Sequence, residues 1–373
     1  MAVKADTSVK WFTSDNPNSP TLSGTPGSLV ALLDACLIDG YDPRTPDSVT
    51  VAGEICTANF SGGNPFEQHV VVQISGASVV GLNAEWRIAT ATATAITFVC
   101  PGVADGAVSG TISIKRAPAG WVKAFADTNR GAYRSASFAS TQLYLRVNDA
   151  YGTAARVRGY EQMTSIDAGT GLFPTLTQRA EDGYWWQKSS SSDAIAREWA
   201  VIADGEMLYY CPIHSGNSFF SGQHTPFRFG DVRRRLAGDA YHCLISGVAE
   251  ALLNPGVEGS TTAIRSTADS ISGKYLARPA AQTGTAQDVS YSCAVNMIGD
   301  YGTSPDGELM LCPLSLGTRG VLPGLYAAAD RIAGLPFRGV VGVSGVPFLR
   351  LRAGANSFDL DRHIAFDITR PWR

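Results

Sequence analysis

The sequence predicts a mainly β protein: two or three sandwich- or barrel-like domains, one short N-terminal helix and an extended N-terminal arm. Three observations carry this. Short runs rich in β-branched and aromatic residues recur along the chain between Gly, Asn and Pro clusters. A helical period appears cleanly only once, at residues 28–38. Gly (39) and Pro (19) are frequent enough among 373 residues to exclude a long helical bundle, while 45% hydrophobic residues supply ample core.

In chain order, residues 7–27 (TSVKWFTSDNPNSPTLSGTPG) are polar, lack a period and carry Pro17, Pro20 and Pro26, so they read as an extended arm. Trp11 and Phe12 are its apolar anchors. Ser28 is placed to cap the helix, Leu29, Leu32, Leu33, Cys36 and Leu37 form its single apolar stripe, and Gly40 ends it. The stripe is expected to pack on the next sheet. Five strand-like runs between Ser48 and Arg116 indicate a small sandwich or barrel, closed by APAG at 117–120.

Residues 117–254 form the second β block. GWVKAFADTNRGAYRS opens it without a period and reads as a loop with a helical turn. Strand runs QLYLRVND, AARVRGYEQM, YWWQK, REWAVIADG, EMLYYCPI and YHCLISG follow. Asp204-Gly205 predicts a two-residue type I′ hairpin turn. Residues 214–239 read as irregular. Residues 255–373 form a third β block, with LYAAADRIAG expected as a helical turn. DGEMLYYCPI at Asp204 and DGELMLCPL at Asp306 echo each other as a possible duplicated unit.

The net charge of −3 argues against nucleic-acid binding, and no run of 18 apolar residues suggests a transmembrane helix. MAVKADTSVKWFTSD holds no apolar signal segment, so no secretory signal is expected. Residues 1–110 hold ten acids and four bases, whereas the remainder is net basic, an asymmetry suited to head-to-tail association of copies. Arg outnumbers Lys 24 to 6, which suits interfaces because the guanidinium fork pairs carboxylates bidentately. The seven cysteines are odd in number, lack a CxxC pair and lie mostly in apolar runs, so buried free thiols and a reducing compartment are expected.

No catalytic residue, cofactor site or metal site is assigned. GxSxG, GxxxxGK[ST] and GxGxxG are all absent. Cys211, His214, His224, His242 and Cys243 are the best metal set, but they lack compact zinc spacing. Asp167, Glu181, Asp182, Glu198 and Asp204 lie near Tyr184, Trp185 and Trp186, and acids beside aromatic platforms line sugar clefts. The opposing reading is that Tyr-Trp-Trp buries one face of a strand and edges an interface with the other. Asp300, Asp306, Glu308, Asp359 and Asp361 do not follow the EF-hand spacing. The interface candidates are Trp11, Phe12, Tyr184, Trp185, Trp186 and the basic run Arg233, Arg234, Arg235.

Trp11–Ser14 with the Gly27–Leu37 helix, Gly110–Ser135 (GTISIKRAPAGWVKAFADTNRGAYRS), Gly159–Pro174 (GYEQMTSIDAGTGLFP) and Asp367–Arg373 (DITRPWR) resemble stretches of virion structural proteins of tailed bacteriophages. The resemblance implies a non-enzymatic tail-, baseplate- or neck-associated role. It also implies assembly in the host cytoplasm, with other virion proteins and copies of the same chain as partners. Neither a nucleic acid nor a membrane is an expected partner. A receptor- or glycan-binding tail-tip module is the alternative, and a cell-wall glycan hydrolase a third reading.

Overall fold

The computed structural model describes residues 2–174, 176, 182–213, 226–234, 237, 243–248, 272–277, 287–288, 309–311, 318–328, 338–343, 345–355 and 361–373. The chain is mainly β, with several antiparallel sheets and one short helical segment near the N-terminus.

Residues 41–116 form a sandwich. A four-stranded sheet (Tyr41–Arg44, Gly110–Arg116, Val71–Ala77, Glu85–Arg87) packs on a five-stranded one (Thr90–Ala91, Ala95–Val99, Ile55–Asn59, Ser48–Ala52, Gly106–Val108). Alternation places Val49, Val51, Cys56, Ile96 and Phe98 inside against Val72, Ile74, Trp86 and Ile114. Trp86 stacks on Phe98 across the layers at 5.3 Å.

The largest sheet runs, in spatial order, through Lys10–Thr13, Trp199–Ala203, Met207–Pro212, Phe227–Asp231, Cys243–Val248, Tyr184–Gln187, Ala154–Tyr160, Tyr144–Asn148, Arg130–Ser135 and Trp121–Asp127. Its inner-face residues from both ends, including Phe12, Val201, Trp121 and Tyr133, share one core with the helix. The sheet therefore curls back on itself: Trp121 Nε1 donates to the Asp204 carbonyl at 2.9 Å, joining one end to the hairpin near the other. The opposite face of Trp199–Ala203 and Met207–Pro212 packs into the core shared by the sandwich and the C-terminal sheet (Leu325–Ala328, Asp361–Asp367, Val346–Ala355, Arg338–Val343).

Several expectations are corrected. The segment 7–27 is not a detached arm. Lys10–Thr13 is the edge strand of the large sheet, in register with Ala203–Ala200, and Leu22 bridges Arg197. Trp11 and Phe12 are 6% and 1% exposed. Adjacent strand residues point to opposite faces, so one enters each core. The helix does not pack on the sandwich that follows it. Leu29, Leu32, Leu33, Cys36 and Leu37 are buried inside the curled sheet. The arm and the helix thus share cores with later blocks, and the boundaries drawn at 27 and 116 do not separate independent cores.

The helix is α over Ser28–Leu33 and widens to π over Asp34–Asp39. Its cap position is Gly27, at φ 82°, while Ser28 Oγ turns back to donate to the Ser23 carbonyl at 2.8 Å. The first amides are taken by Asp149 instead. At the far end Ala119 and Gly120 N–H groups satisfy the Cys36 and Leu37 carbonyls at 2.9 and 3.0 Å. Gly40, at φ 69°, ends the segment as expected.

GWVKAFADTNRGAYRS is a hairpin, Trp121–Asp127 with Arg130–Ser135, and Leu325–Ala328 is a strand. The Asp204-Gly205 turn is not type I′, because Gly205 has no positive φ. Asp204 Oδ1 accepts the Glu206 and Met207 amides at 2.8 and 2.6 Å, making an Asx turn. Phe227–Asp231 is a strand within the stretch expected to be irregular. The echo of this hairpin at Asp306-Gly307 lies outside the described residues.

Candidate assembly surface

The strand Tyr184–Gln187 decides the aromatic cluster. Pleating sends Tyr184 and Trp186 into the inner core, 1% and 0% exposed, where Trp186 Nε1 donates to the Ser246 carbonyl at 2.6 Å. These two are core residues, which corrects their placement as interface candidates. Trp185 faces outward. The Arg156 guanidinium lies 3.3 Å over its ring centre, and the edge of half-exposed Tyr151 meets it at 5.6 Å. Register explains this contact: Arg156 is the cross-strand neighbour of Trp185.

The same register lines up Arg130, Asn148, Arg156 and Trp185 across four strands, with Arg146 opposite Arg158 one pair away. This basic outer face is balanced by acids from the hairpin Gln162–Thr170 and the segment after it. Arg146 bonds Asp167 through Nη2 and Asp182 through Nη1, the latter at 2.8 Å, and Arg130 bonds both Asp127 and Asp167. Hydrogen bonding from Arg146 holds the Asp167 carboxyl below its usual range. One guanidinium bridges the two carboxylates, and its hydrogen bond to Asp167 favours the anion there. Glycoside cleavage needs the reverse, one carboxyl kept protonated as general acid. Asp204, also weighed for that chemistry, serves its turn and accepts from Arg373 Nε at 3.2 Å. Glu181 lies outside the described residues.

Among the described residues no cluster of three or more His, Cys, Asp or Glu side chains is placed to hold a metal ion. Cys211 and Cys243 face opposite cores across the large sheet, so they cannot share an ion. His214, His224 and His242 are outside the described residues, as are Asp300, Asp306, Glu308 and Asp359; Asp361 is described only as a strand residue. Cys36, Cys56, Cys100, Cys211 and Cys243 are free, buried thiols. Burial raises each above its usual range, Cys56 to about 12. Arg233 and Arg234 form a short strand paired with Val321 and Gly320; Arg235 is outside the described residues.

Among the described residues, the most exposed large hydrophobic side chain was not singled out from the sequence. Phe138 is 98% exposed at the tip of the 136–143 loop. The loop is not slack. Thr141 donates through its amide and hydroxyl to both Asp231 oxygens, each at 2.6 Å. Ser137 Oγ donates to Glu206 at 3.1 Å and accepts the Ala139 amide at 3.2 Å. Ser135 Oγ donates to the Gly205 carbonyl and accepts the Ser137 amide. The signal for such a knob is a lone Phe in SASFAST, with only Ala136 and Ser140 at i±2 and no large apolar neighbour to share a sheet face.

No protein-family model matches the sequence, and no curated protein matches it. Among solved structures, phage phi92 endosialidase is similar at 9% identity and a TM-score of 0.17, over 88% of this chain and 52% of that one. A superposition at that score carries no argument about fold or function, and the chain spans about half the length of that structure.

Proposed function

We propose that this chain is a non-enzymatic structural component of a tailed-phage virion, tail-, baseplate- or neck-associated, that acts by protein–protein assembly in the host cytoplasm. The observation that supports it best is Phe138. A phenyl ring held in water at the tip of a hydrogen-bonded loop is pre-organised for a pocket on another protein. Its burial is worth about 1.5–3 kcal/mol, and the pinned backbone leaves little freedom to lose on docking. The partner is another virion protein or a further copy of this chain.

Resemblance of the opening, the 110–135 and 159–174 stretches and the DITRPWR terminus to tailed-phage virion proteins points the same way. The opening supplies the edge strand and the enclosed helix, and the terminus supplies a C-terminal plug, Trp372 packed on Tyr209 with its Nε1 donating to the Asp367 carbonyl, which supports reading them as parts of a rigid building block. The test is Phe138→Ser. Unchanged melting together with lost co-assembly with particle proteins supports the reading. Wild-type incorporation into particles removes Phe138 as the anchor.

A further inference from the structure

Asp149 and Lys188 meet in the interior, and the side chains of both are fully shielded from solvent. Asp149 follows the strand Tyr144–Asn148 and Lys188 follows Tyr184–Gln187, the two strands flanking Ala154–Tyr160. Their backbones are fixed. The Asp149 amide donates to Asn129 O at 2.8 Å, its carbonyl accepts Gly27 N–H at 2.9 Å, and the Lys188 amide donates to Thr153 O at 3.0 Å.

The side chains are fixed as firmly. Lys188 Nζ donates to Asp149 Oδ1 and to the Thr25 carbonyl, the latter at 2.6 Å. Asp149 Oδ2 accepts the Leu29 and Val30 amides at 2.7 and 3.3 Å. The amine therefore addresses one carboxyl oxygen while two N–H groups hold the other. A nucleophile held against an acyl carbon whose second oxygen is hydrogen-bonded is the arrangement that favours acyl transfer.

We infer that Lys188 and Asp149 condense with each other to form an intramolecular amide cross-link, releasing one water. The Nζ lone pair attacks Asp149 Cγ, the Nζ–Cγ bond forms and the Cγ–Oδ1 bond breaks. Starting from the ammonium and the carboxylate, two of the three Nζ protons leave with Oδ1 as water and the third stays on the amide nitrogen. No oxidant, metal or other reactant is needed. The product matches the groups already present: the remaining N–H keeps the Thr25 carbonyl as acceptor, and Oδ2, now the amide oxygen, keeps the Leu29 and Val30 donors. Condensation also removes two buried charges whose desolvation a Coulombic contact repays only in part. Burial lowers the Lys188 pKa and raises that of Asp149, each toward the neutral form that reacts.

The measurement is the intact mass of the denatured wild-type protein, freshly purified and after incubation at neutral pH, followed by peptide mapping. The expected result is a mass one water below that of the sequence and a branched peptide joining Asp149 to Lys188. Lys188→Arg is expected at full mass, folded by circular dichroism and melting lower. Full wild-type mass with Asp149 and Lys188 in separate peptides overturns the inference. So does a lost water that maps to Asp39-Gly40 or Asp204-Gly205, where a cyclic imide forms instead. If Lys188→Arg does not fold, the wild-type peptide map decides alone.

Discussion

Arg87 donates through Nη1 to the carbonyl of Ile368, 281 residues further along the chain. The same guanidinium donates to Asp6 O at 2.6 Å, to Val9 O at 3.0 Å and to His69 O at 2.8 Å. One side chain therefore ties the N-terminal segment, the sandwich and the C-terminal segment together. Burial is strong enough to pull its pKa down to about 10.

Arg87→Lys is expected to destabilise the protein by about 3 kcal/mol or more. A lysine cannot span the carbonyls the fork reaches, and each buried acceptor left unpaired costs about 1–3 kcal/mol. Chemical denaturation of the two proteins measures the difference.

Trp11→Ala and Phe12→Ala are each expected to lower stability by about 3–5 kcal/mol, the usual range for truncating a buried aromatic. Thermal melting of the isolated protein reads this directly. An unchanged melting temperature for the double variant would mean that these rings face solvent in the free subunit.

The enclosed helix was legible because Leu29, Leu32, Leu33, Cys36 and Leu37 repeat with its period, and most strands were legible from β-branched runs. What the helix packs on was not, because its first amides are held by Asp149, 120 residues beyond Leu29. The arm was misread for a similar reason. Four residues, Lys10–Thr13, show no alternation that marks a strand, and their pairing with Trp199–Ala203 is purely long-range. Of the candidate surface, the pleat of Tyr184–Gln187 was legible: the strand buries Tyr184 and Trp186 and leaves Trp185 partly exposed between them. The Arg156 contact and the pinning of the Phe138 loop depend on register and on Asp231, which local sequence does not encode.

Gly324→Ala is expected to unseat the C-terminal plug. Trp372 packs on Tyr209 at 5.6 Å and donates to Asp367 O at 2.9 Å. A Cβ at Gly324 would lie 2.0 Å from the indole, and φ there is +70°, a conformation that disfavours any side chain. Lower stability and a red-shifted tryptophan emission are the expected readouts.

Stability should fall as the solution is acidified below pH 6.5. Burial, with the Arg87 charge second, holds the His69 pKa below the ordinary imidazole value of about 6.5. The unfolded chain therefore binds its proton first on acidification. The stability contribution is present above pH 6.5 and is lost as pH falls through the lower folded value. His69→Asn, which tolerates the φ of 70° at this position, should show a shallower loss of melting temperature between neutral and mildly acidic pH.

The most direct test of the assembly role is a cryo-EM map of the intact tailed particle, read together with its protein composition. The account predicts this chain at fixed stoichiometry in the tail, baseplate or neck, with Lys10–Thr13 paired to its own Trp199–Ala203 and Phe138 seated in a neighbouring subunit. Purified particles that lack the chain would contradict it.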